Sequence, residues 1–341
     1  GIYMPYFNTR KVFLLPSFDL EAKEEEKILK YLNLLESSGV GDVISQYVKN
    51  NTPKGGRPGY NPYNLFAVIL YGFAFKRYTL RQLEEACNFD LRFISIMEQE
   101  RPIYTKFCEF INKVIVPNEE KIFSLINKQI AKEVGIVLSE STIYIDGTKQ
   151  EANANKYKFV WKPIKYHKSI TLKIERIIEK YNLIENYHHV EMIAGKTVVY
   201  AISHLENKKT SLSEKEYKRV NKALTDMMSK VLEYEEKERI CGPNRKSYYK
   251  TDKDATAMAL KADYYSGLGS NMHAAYNVQN MVIQGFSFAY YVSQSRNDIN
   301  DFIDASKQFY RLYETYPKNI CADAGYGSLE NYSFLSEHNI G

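Results

Sequence analysis

The sequence predicts an α/β protein in which an all-helical N-terminal domain precedes a mixed sheet flanked by helices, and a charged helical insertion interrupts the sheet. Three observations predict it. Apolar residues recur at helical spacing up to about residue 135, a highly charged helical stretch follows at about 170–240, and short runs rich in β-branched and aromatic residues lie near 143, 272–294 and 320. The 341 residues therefore divide into 1–135, helical; 136–165, the first part of the sheet domain; 166–250, the insertion; and 251–341, its remainder. A chain of this length asks for two or three domains rather than one core.

The helical domain is read from three segments. Leu20 to Leu35 and Pro62 to Lys76 carry apolar residues at helical spacing, and Thr79 with Gln82 has capping-box spacing at the start of a third helix. A further helix begins near Pro102. Lys49, Lys54 and Arg57 lie in a turn-rich loop without an acid, and Lys76, Arg77 and Arg81 flank the capped helix start. Short helices joined by tight turns with cations at their starts suit a helix-turn-helix-like DNA-binding module. The alternative is a helical packing domain with a solvated basic edge.

Next comes Ser141 to Asn155, "STIYIDGTKQEANAN". Ile143 to Ile145 read as a buried strand, so Asp146 stands where the chain leaves the core and Asp-Gly reads either as a turn or as the start of a ligand site. Lys149 follows. From Lys156 to Arg176 the cations include Lys156, Lys158 and Lys162, interleaved with Tyr157, Phe159, Tyr166 and Trp161, the chain's one tryptophan. That alternation can meet phosphates and stack on bases, or can be an exposed strand whose aromatics face the core.

In the insertion, Tyr217, Val220, Leu224, Met227, Val231 and Tyr234 form a short seam at alternating three- and four-residue spacing. It is expected to pack on a neighbouring helix, with self-association into a homodimer as the alternative. His188, His189 and Glu191 sit together in sequence, but neighbours on a helix point apart, which argues against a metal role. Met272 to Gln279 and Ile283 to Gln294 read as a hairpin, and Asn297 to Tyr316 as an amphipathic helix stopped by Pro317. Ile320 to Ala322 is a short strand ending on a second acid, Asp323, before a Gly-rich turn and a helix from about Ser328.

Composition limits the function classes. The 44% hydrophobic and 26% charged content is that of a globular chain. Leu65 to Phe75 is too short for a membrane span, which needs ~20 residues, and the N-terminus has no signal-peptide core, so a cytoplasmic protein without membrane partners is expected. Cys87, Cys108, Cys241 and Cys321 stand apart and read as reduced structural thiols. A net charge of +5 permits a polyanionic partner.

Two strands ending on carboxylates in one sheet, with a basic surround, suit a site for hard divalent ions and two-metal phosphoryl transfer. At this point the chain resembles the DDE transposases of bacterial insertion sequences, over nearly its whole length. The resemblance rests on "RPGYNPYNLFAVILYGFAFKRYTLRQLEEACNFDLRFISIM", "YIDGTKQEANANKYKFVWK", "TDKDATAM" (Thr251 to Met258), "MHAAYNVQ" and "CADAGYG". It implies an RNase H-like catalytic domain, Asp146 and Asp323 as catalytic, metal-binding acids, Mg²⁺ or Mn²⁺ as cofactor, and double-stranded DNA, both element ends and target, as partner. It further implies cleavage by water followed by strand transfer of the freed 3′-hydroxyl.

The family's third acid is a Glu on a helix well beyond the second Asp. Glu330 and Glu337 follow Asp323 too closely to match it, so the sequence reads as a fragment whose third acid lies elsewhere and which is inactive alone. The competing readings are a non-catalytic, transposase-derived DNA-binding protein or inhibitor, and an RNase H-like nuclease without strand transfer.

Overall fold

A computed structural model describes residues 6–7, 22–47, 59–267 and 271–341. It is α/β, with a mixed sheet and many helices. The helical region opens with α1 (Ala22–Ser38), α2 (Val40–Ser45), α3 (Pro62–Ala74), α4 (Leu80–Phe89), α5 (Leu91–Ile96) and α6 (Tyr104–Phe110). A π-turn (Ile111–Ile115) and a 3-10 turn lead into α7 (Glu119–Val134). The start signals are realised locally. Asn61 caps α3 by accepting from Tyr63 N, with Pro62 at the first helical position, and Thr79 and Gln82 close the reciprocal capping box of α4. Helix α5 is an addition to the sequence reading, capped by Asp90, which also holds Arg92 at 2.6 Å. Phe66, Leu83, Phe93 and Phe107 form its common core. Gly135, with φ 73°, ends α7 in the left-handed conformation.

The sheet region comprises β1 (Thr142–Glu151) and β2 (Phe159–Trp161), then α8 (Ile164–Tyr181), α9 (Gly195–Asn207) and α10 (Glu214–Cys241) of the insertion. It continues with β3 (Ser247–Tyr249), β4 (Thr256–Met258), α11 (Lys261–Tyr265), β5 (His273–Ile283), β6 (Phe286–Ser293), α12 (Phe302–Tyr313), β7 (Asn319–Cys321) and α13 (Leu329–Glu337). Hydrogen bonding orders one sheet β4-β5-β1-β7 with β6 on β5, while β2 and β3 form a separate two-stranded ribbon. Two compact units result. One holds Gly1–Ile145, Met281–Tyr290 and Ile303–Gly341, the other Asp146–Asn280 and Tyr291–Phe302.

In the first unit β1 runs parallel to β7, with Thr142 opposite Asn319, Ile143 opposite Ile320 and Tyr144 opposite Cys321. In the second, the seam of α10 is buried. Tyr217, Val220, Leu224 and Val231 pack with Ile174 and Ile178 of α8 and Val198 and Ala201 of α9, with Met227 and Tyr234 at the margin. His188 to Glu191 are not helical; His189 Nδ1 instead lies 2.9 Å from the buried carboxylate of Glu175. Burial raises the pKa of Glu175, but hydrogen bonds from Val190 N–H, His189 and Tyr187 outweigh it and leave the group below its ordinary value.

Two sequence boundaries and one cysteine assignment change. The expected strand at 272–279 runs on to Ile283, because Met281 and Ile283 continue its buried alternation, and Gln284 (φ 51°) with Gly285 (φ 86°) then makes the tight turn into β6. The helix expected from Asn297 starts only at Phe302, after a 3-10 turn at Asp298–Asn300, since Asp298 and Asp301 are held by β5 side chains. Cys108 and Cys321 are exposed rather than structural; only Cys87 and Cys241 are buried, and burial pushes the Cys87 thiol up to about 12.

Candidate functional site

The largest departure from the sequence reading concerns Asp146. Gly147 makes no turn, and β1 continues unbroken to Glu151. Tertiary pairing overrides the local Asp-Gly preference. Along β1, Ile143, Ile145 and Gly147 are buried while Tyr144, Asp146 and Thr148 are exposed, so the acid lies within the strand on its open face. No hydrogen bond engages its carboxylate among the described residues. Asp323, also exposed, follows β7 and caps the turn beyond it, with Oδ1 accepting from Gly325 N at 2.8 Å.

Gly147 has a different job from the one its sequence suggests. A Cβ there would stand 2.2 Å from Asp298 Oδ1, 2.6 Å from Asp298 Cγ and 2.9 Å from Gln279 Nε2. Asp298 Oδ1 in turn accepts from Asn277 Nδ2 (2.8 Å) and Gln279 Nε2 (2.9 Å), and Asp301 Oδ2 accepts from Asn277 Nδ2 (3.1 Å) and Ser293 Oγ (2.6 Å). Strand alternation puts this network against the face opposite the Asp146 side chain, so Asp298 does not share a face with that acid. Asn277 and Gln279, two apart on β5, signal a shared face in the "YNVQ" run. The role of Asp298 has no local signal.

Replacing Gly147 by Ala is expected to cost about 1–3 kcal/mol, because Asp298 is tied and cannot swing aside freely. In an Asp298→Ala background the same change should cost no more than about 0.5 kcal/mol. Urea melts of the four proteins check this, and equal costs in the two backgrounds would remove the steric account.

Asp252 of "TDKDATAM" is a structural acid. Tyr276 Oη donates to both its oxygens (2.7 and 2.8 Å), and Oδ1 accepts from Asp254 N and Ala255 N. Arg245, buried, ties the end of α10 to this loop through Cys241, Lys253 and Asp254 carbonyls.

The basic residues separate into several settings. Lys54 and Arg57, with Lys49, lie outside the described residues. Lys76, in the left-handed conformation at φ 59°, and Arg81 are exposed around the start of α4, Arg77 is half-buried, and the Arg81 guanidinium lies 4.8 Å over the Tyr104 ring. Lys149 is half-buried on β1. Lys158 and Trp161 are exposed on or beside β2, Lys156 lies over the Tyr157 ring, and Lys162 Nζ donates to Gly242 O at 2.7 Å. The ribbon also brings up two cations that the sequence reading left unconnected. Lys246 O accepts from Lys162 N and Lys250 N donates to Lys158 O, which continues the ladder at both ends.

The comparison with known families falls in the helical region. Residues 20–113 match the family model "Transposase domain (DUF772)". The match supports a transposase family, which at that coarse level implies a DNA-acting enzyme. It covers α1 to α6 and stops short of β1. No curated protein matches the chain, and no solved structure does.

Among the described residues no group of three His, Cys, Asp or Glu side chains is arranged to hold a metal ion, and no helix is long and apolar enough to cross a membrane.

Proposed function

We propose that the chain is a DDE-type transposase that binds double-stranded element ends and carries out Mg²⁺-dependent strand cleavage and transfer, with Asp146 and Asp323 as two of its acids in an RNase H-like domain. The observation that carries this is the parallel register of β1 and β7. Tyr144 faces Cys321, and each acid follows its paired residue by two positions. The transposase-domain match over 20–113 supports the same reading from a separate part of the chain.

The donor chemistry fits Mg²⁺, which is bound by one or two carboxylates with waters and substrate phosphates completing its shell. Asp146 and Asp323 would hold it. Bound divalent ions supply activation of an attacking oxygen and stabilisation of a leaving one. The chain's own residues do the rest: the Gly325 N–H fixes the Asp323 side chain, the open face of β1 presents Asp146, and exposed lysines and arginines neutralise phosphates and set the register of the duplex.

One observation favours a second reading, a transposase-derived DNA-binding protein without catalysis: the lack of a three-ligand group among the described residues. Both readings require duplex binding through phosphates. Binding of a DNA duplex should weaken linearly with log salt, and Lys158→Ala should lower that slope by about one unit with similar loss on all sequences. A salt titration that shows no duplex binding would remove both readings, and an unchanged slope would make Lys158 a solvated surface residue.

A further inference from the structure

We propose that the β2–β3 ribbon is a site for unpaired DNA bases, with Trp161 and Phe159 as its stacking surface. This rests on the DNA-acting reading and adds the form of DNA that the ribbon takes.

The ribbon is antiparallel, with Phe159 opposite Tyr249, Val160 opposite Tyr248 and Trp161 opposite Ser247. Alternation places Phe159 and Trp161 on one face of β2, and their rings meet edge to face at 5.5 Å. Strand β3 is fully buried, so the ribbon is anchored along that edge. Strand β2 itself is left out in solvent. Trp161 is 60% exposed, Phe159 44%, and nearby Tyr157 and Tyr166 80% and 69%. Single exposed aromatics need no explanation, but four within ten residues form a surface whose burial is favourable.

Charge selects the occupant. From Ala152 to Ile174 the chain has no acid. Lys158 and Lys165 are exposed, and β3 adds exposed Lys246 and Lys250 at the two ends of the ladder. These four carry no ion pair among the described residues, whereas Lys168 is taken by Glu191 and Lys162 by the Gly242 carbonyl. By the same alternation Lys158, Lys246 and Lys250 flank the face opposite the rings. Exposed rings on one face of β2, with unpaired lysines at the ends of the ladder and on the opposite face, give the ribbon both stacking surface and positive charge for a strand whose bases are free. A duplex keeps its base faces stacked inside, so an unpaired strand is the form that uses the rings.

Trp161 is the only tryptophan of the 341 residues, so its fluorescence reports this site alone. The test titrates the chain with a ~16-nucleotide oligothymidylate, a duplex of equal length and vesicles of anionic lipid. Oligothymidylate is expected to quench Trp161. By anisotropy, Trp161→Ala and Phe159→Ala should each weaken single-strand binding roughly 5- to 150-fold, the range for one stacked base, while duplex affinity changes less than about twofold and Trp161→Phe restores most of the loss. Single-strand binding without quenching, equal losses on both DNA forms, or equal quenching by vesicles would each overturn the proposal while leaving the transposase reading in place. Failure to bind either DNA form would overturn both.

Discussion

Replacing Asp146 by Ala in the full-length protein is expected to slow Mg²⁺-dependent cleavage of element-end DNA by at least about 100- to 1,000-fold, the usual cost of one preorganised electrostatic contact to the reacting centre. The carboxylate lies on the open face of β1, two residues beyond the rung that joins Tyr144 to Cys321, and removing it takes nothing from the core. Its thermal stability should therefore stay close to that of the parent, which separates lost chemistry from lost fold. Asp323→Ala should match it in rate but also lose the cap to Gly325 N. Asp298→Ala, on the far side of β1, is the informative control, expected to act through stability. Parallel nicking assays and melts of the four proteins check this. Cleavage at the parent rate by Asp146→Ala would return "IDG" to a purely structural role.

His167→Ala is expected to destabilise the second unit by about 3–5 kcal/mol. His167 is 3% exposed on α8. Its Nδ1 lies 3.0 Å from Glu238 Oε1 on α10, and its Nε2 donates to the Ile193 carbonyl at 2.9 Å. Removing the ring leaves a cavity, strands a largely buried carboxylate, and frees a buried carbonyl at the same moment. His167→Gln keeps a polar group and should cost less. Urea denaturation checks both, and a loss below about 1 kcal/mol for the alanine variant would show that solvent already reaches these acceptors.

Much of the fold was legible because its signals are local. The capping box at Thr79, the Pro62 start of α3 and the Ser328 start of α13 each involve atoms a few residues apart. The α10 seam was legible for a related reason: a stripe at helical spacing must be covered, and α8 and α9 cover it. Likewise the apolar runs at Ile143 to Ile145 and Ile320 were legible as strands from their composition.

What sequence reading missed depends on partners distant in the chain. Asp-Gly read as a turn because that is its short-range preference, but β1 gains ladder hydrogen bonds beyond it and continues. The reason for the glycine, the approach of Asp298, comes from a residue some hundred and fifty positions later. Similarly, the sequence put lysines beside aromatics, yet only the β2–β3 register joins Lys246 and Lys250 to them and only burial shows the rings outside. The sequence by itself determined the capped helix starts at Thr79 and Ser328 and the apolar seam, because periodicity and capping act within a few residues. Tertiary structure alone decided which face each acid takes, that Gly147 is a contact and not a turn, and which cations share a surface, because strand pairing and close packing join residues whose separation along the chain carries no local trace.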